Sequence, residues 1–523
     1  MSIDSPFEVP ERFNLAQHLL DRRVEEGLGE KVALRVDGAD GSTREWTYRE
    51  VSELAHRVGD VLRRMGVEPE QRVILAVADS AEYAGSLFAI LGIGAVAVMV
   101  NPRLAQDDLA AIFEYTRASA AIVESEVMAT FLAARGAGRY PRRLLTVRGA
   151  VDGFPALEEE LAASSGDSPL EPTHRDDPAI WLFSGGTTGR PKAVVQSHGS
   201  FANTTELYAR RALGYRASDV TLSVPKLFFG YATGSNLFFP FSVGATAVLF
   251  PEHPTAEILF EKIRRHRPTI LINVPTMVSH MSQHPEAGLQ DLTCLRFATS
   301  AGEALPVALY HRFKETFGVE LLDGLGTAEM WHIFVTNLPG AVKPGTLGRV
   351  VPGFELRIVD EEGREVGPGE VGRMWVRGHS RALCYWQAMG KTMEAFQGEW
   401  YVGGDLASRD EEGYVSYHGR GDEALKVGGK WLVPAEVEGC LLRHPAVKEC
   451  AVVGVADASG LTKPHAWVVA NTTADAALAE ELKAWALSRL DAYKHPREIH
   501  FSDALPRTHL GKVDRGKLRR EGA

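Results

Sequence analysis

The segment Ser184-Gly185-Gly186-Thr187-Thr188-Gly189-Arg190-Pro191-Lys192 lies between two short apolar runs, residues 179–183 and 193–195, each of which reads as a buried strand. Few strand connections carry such chemistry. Its glycines permit close backbone approach, so successive N–H groups can converge on an anion while the hydroxyls and the Lys192 ammonium add donors. Gly-rich turns commonly do no more than connect strands. Here the serine, the two threonines and the lysine turn the reading towards a phosphate loop. It is not the P-loop of kinases and ATPases, because Pro191 directly precedes Lys192 where that pattern needs Gly-Lys-Ser/Thr running into a helix. A helix is expected from about Ser197 to Arg211.

Around this loop the chain alternates. Thr47 with Glu50 three residues on forms a capping box for a helix reaching Met65. A strand over 72–77 follows, then a helix capped near Asp79 and Ser80, then a strand over 95–100. Further strands are expected at 220–224, 244–250, 269–273 and 295–298. Such alternation specifies an α/β fold of layered sheets. From 345 to 417 short strands with turns such as Gly367-Pro368-Gly369 indicate a β-rich subdomain. Beyond Arg420-Gly421-Asp422 the pattern is mixed: helix 434–444, strands 449–455 and 465–470, helix 476–490. We therefore expect a large domain over 1–420 and a smaller, mobile α+β domain over 421–523, as 523 residues exceed one ordinary domain.

Composition narrows the partners. A net charge of -11 opposes nucleic acid and anionic membrane as ligands. The four cysteines show no CxxC or metal spacing, and the N-terminus shows no secretory signal, which together indicate the cytoplasm. The apolar run 84–100 reads as buried helix and strand, not as a membrane span. Nothing in the sequence sets the oligomeric state, a homodimer included.

Other segments carry chemistry. In Leu325-Gly326-Thr327-Ala328-Glu329 a carboxylate and a hydroxyl on a Gly loop suit Mg²⁺ held against phosphate oxygens, although an acidic first turn of a helix has the same look. Ser300-Ala301-Gly302-Glu303 is a small-residue loop after a strand, against which a flat ring can lie, or a helix start before Pro306. Asp405 reads as a turn residue and the run 506–515 as a basic tail when each is taken alone.

Taken together and in this order, the segments resemble the adenylate-forming superfamily, which includes acyl- and aryl-CoA synthetases, firefly luciferase and the adenylation domains of peptide synthetases. The resemblance implies ATP and Mg²⁺ as cofactors and CoA as co-substrate. It makes Ser184, Gly185, Gly186, Thr187, Thr188, Gly189 and Lys192 the triphosphate cradle, and Thr187 with Glu329 the metal ligands. Ser300, Ala301, Gly302 and Glu303, with Asp323, Gly324, Leu325, Gly326 and Thr327, become adenylate contacts. Asp323 stands where the family's Tyr-Gly-x-Thr-Glu motif has tyrosine, and a residue is inserted before Glu329. Asp405 and Arg420 correspond to the ribose and phosphate residues, Asp422 to the hinge, and Lys512 to the lysine that bridges carboxylate and phosphate. Lys426, Gly428 and Gly429 would face the thiol after domain rotation.

Aromatic stretches next to two of these loops bear on the acid. Phe228, Phe229, Gly230 and Tyr231, with Trp331 and His332, resemble the pocket segments of benzoate-CoA ligases, although aromatic side chains as often build core. The expected activity is an aryl-CoA ligase for benzoate or 2-aminobenzoate. The alternatives are loading of a carrier protein's phosphopantetheine, or a non-catalytic nucleotide binder. A carrier protein or a downstream acyltransferase is the macromolecular partner that such chemistry allows.

Overall fold

In the computed structural model, residues 7–184, 192–421, 425–427, 430–457, 461–507 and 513–522 are described. The first helix, Tyr48–Arg64, begins as expected. Thr47 accepts from Glu50 N (3.2 Å) and Glu50 returns a bond to Thr47 N (2.7 Å). Its buried face is Val51, Leu54, Val58, Val61 and Leu62, at helical spacing. The next helix, Ala81–Gly92, is capped by Ser80 and buried almost all round. It packs hard against the first helix: a Cβ on Gly85 would lie 2.7 Å from Leu54, so this position requires glycine.

Two large sheets organise the first 350 residues. The seven-stranded sheet runs in the order Cys384–Tyr385, Lys192–Ser197, Pro178–Ser184, Val96–Met99, Arg72–Ala76, Ala120–Glu124, Arg143–Val147. The nine-stranded sheet has a parallel centre in which Leu321–Gly326, Phe297–Ser300, Ile270–Asn273, Val220–Ser223, Thr246–Leu249 and Val32–Asp37 lie side by side. Parallel strands must be covered on both faces, which explains why nearly every residue of the Phe297–Ser300, Ile270–Asn273, Val220–Ser223 and Thr246–Leu249 strands is buried. One core joins the sheets through aromatic packing: Phe88 stacks on Phe241 at 5.3 Å, and Phe238 and Tyr48 close around them.

A five-stranded antiparallel sheet follows, built from Glu355–Val359, Gly372–Arg377, Phe396–Gln397, Trp400–Arg409 and Val415–Arg420. It is the β-rich subdomain. From Leu425 onward the chain makes its own sheet, with Val447–Ala456 antiparallel to Thr462–Ala470 and Glu498–Phe501 parallel to the latter, and two cores drawn entirely from this region. The fold is therefore mixed α/β: large N-terminal sheets, a β subdomain and a small C-terminal α+β unit. Among the described residues no helix is long and apolar enough to cross a membrane.

One buried polar contact ties the two large sheets together. Asp79, just before the Ala81–Gly92 helix, accepts from Leu227 N at 2.8 Å, and Tyr83 donates to Leu227 O at 3.0 Å. Lys226 beside it donates to Phe250 O at 2.6 Å and lies 3.3 Å over the Phe250 ring centroid. Burial pushes the Asp79 carboxyl up to about 6 and the Lys226 ammonium down to about 8. Asp79→Ala leaves the Leu227 N–H without its acceptor and should lower the unfolding free energy by about 2 kcal/mol, read from denaturant melts. Asp79→Asn keeps an acceptor and should cost less. Because the folded pKa lies above the ordinary 3.8, the acid's contribution is complete below that pH and is lost as pH rises through about 6. The Asn variant should therefore gain on the wild type between pH 4 and pH 7; a constant difference across that range would refute the assignment.

Candidate active site

The candidate residues lie where ligands bind in open α/β sheets, at the carboxyl ends of parallel strands. Ser300 ends one strand and Asp323 lies in the next, and the two are register partners. Asp323 is buried, and burial pushes its carboxyl up to about 8. The Ser300 hydroxyl and the Gly324 N–H offset part of that shift, and Ser300 Oγ and Asp323 Oδ1 make no other hydrogen bond among the described residues. Buried polar atoms with so few partners have hydrogen-bonding capacity left for a water, an ion or a polar ligand. Ala301 is buried, while Gly302 and Glu303 are exposed. Glu303 accepts from Thr276 N (3.1 Å) and Thr276 Oγ1 (2.7 Å), at the start of the Pro275–Gln283 helix.

The strand Leu321–Gly326 turns back as Ile333–Thr336, pairing Leu325 with Val335 and Gly326 with Ile333. A Cβ on Gly326 would meet the His332 carbonyl at 2.3 Å, so only glycine permits this approach. The intervening turn carries Glu329. Thr327 Oγ1 accepts from Met330 N (3.2 Å), Gln196 Nε2 donates to Ala328 O (2.7 Å), and Ala382 N donates to Glu329 O (2.7 Å). The Glu329 carboxylate is buried and accepts a bond from the Tyr385 hydroxyl at 2.7 Å.

Trp331 has φ +60°, a region that bulky residues seldom occupy. Consecutive residues of an extended chain point to opposite sides, yet Trp331 and His332 are both buried. The unusual backbone makes this possible. Trp331 packs against Phe201 (4.5 Å) and Phe239 (5.6 Å), and its Nε1 has no partner among the described residues. His332 packs on Phe239 (4.7 Å), Tyr231 (5.3 Å) and Tyr208 (5.5 Å). Its Nε2 faces the Tyr231 carbonyl at 3.1 Å and the Ser235 hydroxyl at 3.1 Å. A carbonyl only accepts, so Nε2 carries the proton and Nδ1 is a buried acceptor without a donor. Burial holds this imidazole down to about 3, and it is neutral at physiological pH. The Tyr231 hydroxyl shares a 2.7 Å hydrogen bond with Thr299 Oγ1, one residue before Ser300. Phe228 and Phe229, ring centroids 4.6 Å apart, are half-buried with Gly230 and Tyr231 at the edge of this cluster. The polar adenylate candidates and the aromatic stretch are thus linked by direct contacts, through the Tyr231–Thr299 and His332–Tyr231 hydrogen bonds.

The phosphate-loop strands form an antiparallel hairpin in which Ser184 pairs with Lys192. Gly185, Gly186, Thr187, Thr188 and Gly189 lie outside the described residues. Lys192 Nζ stands 5.2 Å from the Tyr385 ring centroid. Asp405 and Arg420 are register partners on neighbouring strands, with guanidinium and carboxylate 3.9 Å apart, and Tyr417 donates to Asp405 at 3.2 Å. Lys512, Asp422, Gly428, Gly429 and the Lys426 side chain lie outside the described residues. Sequence reasoning missed Tyr385, Tyr401 and Thr299. Each is an ordinary strand residue whose neighbours in space come from other parts of the chain, so no local pattern marks it.

Comparison with known proteins covers nearly the whole chain. The AMP-binding enzyme family matches residues 20–386, and the AMP-binding enzyme C-terminal domain matches residues 436–512. The chain is 40% identical to a benzoate–CoA ligase of Thauera aromatica, over 98% of this chain and 97% of that one. It is 38% identical to a 4-hydroxybenzoate–CoA/benzoate–CoA ligase of Rhodopseudomonas palustris, over 97% of this chain and 94% of that one. Among solved structures it superposes on the anthranilate CoA ligase AuaEII in complex with anthranoyl-AMP with a TM-score of 0.92, at 37% identity and 98% coverage of both chains. Similarity that runs the length of the chain, with the two family regions in order along it, leads to one assignment: the protein belongs to the family of AMP-binding, adenylate-forming enzymes.

Proposed function

We propose that the protein is a cytoplasmic, ATP-dependent aryl-CoA ligase that activates a benzoate-type acid as its aryl-adenylate and then forms the CoA thioester. The observation that carries this reading is the chain of contacts in which Tyr231 bonds Thr299, the neighbour of the register pair Ser300–Asp323, and packs on His332, three residues after Glu329. Its full-length relatives include ligases of benzoate and hydroxybenzoate, and a solved neighbour binds anthranoyl-AMP. Carboxylates are poor acyl donors because oxide is a poor leaving group. Attack of the acid's oxygen on the α-phosphate of ATP expels pyrophosphate and turns that oxygen into part of a good leaving group, AMP. A thiol then attacks the carbonyl and AMP departs.

Both partners of the first step are anionic, so catalysis there is chiefly positioning and neutralisation. We assign the triphosphate to Ser184 through Lys192, the adenine to the Ser300–Glu303 loop and the strand around Asp323, the ribose to Asp405 and Arg420, and the bridging cation to Lys512. Glu329 presents a buried carboxylate oxygen, which fits the hard-oxygen preference of Mg²⁺; with Thr187 it would hold an ion that neutralises phosphate charge. The short aromatic wall of Phe228, Phe229, Tyr231 and His332 suits a flat ring. An amino group ortho to the carboxylate would offer a donor to the unpartnered His332 Nδ1, which favours 2-aminobenzoate beside benzoate. Trp331 supports that wall from the core side. We place the domain division at 420/421, with Asp422 as the pivot.

The deciding experiment is a panel of acids assayed for pyrophosphate release with and without CoA. Benzoate and 2-aminobenzoate should show kcat/KM far above decanoate, with thioester formed from free CoA. Comparable values for decanoate would mean that the aromatic residues are core only, and thioester formed solely on a carrier protein would move the enzyme to the carrier-loading class. Lys512→Ala should lose on the order of a hundredfold in adenylation rate, the scale of one electrostatic stabiliser. Thioester formation from preformed aryl-adenylate should change little; an equal loss in both steps would remove Lys512 from its assigned role. Asp422→Pro fixes one backbone torsion at the proposed pivot. It should retain single-turnover pyrophosphate release and slow thioester formation, and unchanged transfer from preformed adenylate to CoA would place the pivot elsewhere.

A further inference from the structure

We infer that Tyr385 is a positioning residue that sets the direction in which the Glu329 carboxylate is presented to the metal-bound nucleotide. This rests on the reading of Glu329 as a metal ligand. The two residues come from different sheets. Glu329 sits on the turn at the edge of the nine-stranded sheet, while Tyr385 belongs to a two-residue strand that pairs with Val194, two positions beyond Lys192 in the seven-stranded sheet. Their buried 2.7 Å hydrogen bond joins one sheet to the other.

The backbone of the Glu329 turn does not depend on this bond. It is already held by Gln196 on Ala328 O and by Ala382 N on Glu329 O, both at 2.7 Å. What the phenol adds is the orientation of the carboxylate. A donor on Oε1 occupies one lone pair and turns the other oxygen to a fixed direction, the way outer partners orient metal-ligating carboxylates. The phenol itself is well held. Its ring packs on Phe396 at 5.4 Å, with the Lys192 ammonium 5.2 Å from its centroid, and the Tyr401 hydroxyl lies within hydrogen-bonding reach. If Tyr401 donates to the Tyr385 oxygen, the Tyr385 proton has one direction left, towards Glu329. Burial pushes both phenols above their ordinary range, so neither loses its proton near neutral pH.

Tyr385→Phe keeps the ring and removes the oxygen. Its affinity for ATP is measured by titration calorimetry with Mg²⁺ and again in EDTA, and Mn²⁺ binding to the enzyme–ATP complex is followed by electron paramagnetic resonance. We expect metal-dependent ATP binding and Mn²⁺ affinity to weaken by about tenfold or more, the usual effect of losing an outer partner, with metal-free ATP binding unchanged. In a Glu329→Gln background the same substitution should add no further loss of metal affinity. Equal weakening with and without metal would show that the phenol only packs, and no weakening in either case would show that its hydroxyl is immaterial; each result overturns the inference. The premise is checked separately by Glu329→Gln alone: intact metal-dependent binding there would overturn the metal-ligand reading, and the inference about Tyr385 with it.

Discussion

The candidate site depends on two sheets that fold from different stretches of chain being locked together, and the buried Asp79–Leu227 hydrogen bond is one polar part of that lock. It joins the start of a helix over one sheet to the loop that leaves the Val220–Ser223 strand of the other. Apolar packing among Phe88, Phe238 and Phe241 supplies most of the contact but is nondirectional. A buried carboxylate that accepts one particular N–H has a single good geometry. Because Leu227 immediately precedes Phe228, Phe229 and Tyr231, the same bond that holds the sheets together also sets where the aromatic wall begins.

The wall and the nucleotide side are coupled through very short connections. Tyr231 bonds Thr299, the neighbour of Ser300, while its carbonyl accepts a hydrogen bond from His332 Nε2. Three residues before His332 stands Glu329. A displacement of the aromatic wall therefore reaches the groups assigned to adenylate and metal through one or two rigid contacts, which suits a reaction that must place a ring-borne carboxylate against a phosphorus atom. The left-handed turn at Trp331 is the local cost of this economy: it lets consecutive residues both turn inward, one to core and one to the wall.

Charge is handled with similar restraint. Among the groups expected near ATP, Asp323 is pushed towards its neutral form by burial and His332 is neutral, so neither adds a formal charge to the nucleotide side at neutral pH. The cations proposed for phosphate are Lys192, on the loop, and Lys512, near the C-terminus, while Arg420 is proposed with Asp405 for the ribose. That division keeps the aryl end apolar and the phosphate end cationic, as the two ends of an aryl-adenylate require.

Much of the architecture was legible in the residues. The Thr47–Glu50 capping box, the Ser80 cap, the apolar strands flanking the phosphate loop and the switch to short strands after residue 345 all correspond to elements of the fold, with ends displaced by one to three residues. These are local signals, governed by side-chain periodicity and by hydrogen bonds a few residues apart, so a linear reading captures them. Helix 197–211 was placed correctly, but its second half, Thr205–Ala212, is wound as a π-helix, which propensity does not encode. The order of strands within each sheet, the pairing of Asp405 with Arg420 and of Ser300 with Asp323, and the Tyr385–Glu329 bond were decided only by tertiary structure. The physical reason is separation along the chain. A hydrogen bond between residues 56 positions apart has no sequence period, and it forms only after packing of the two sheets has met the entropy cost of bringing its partners together.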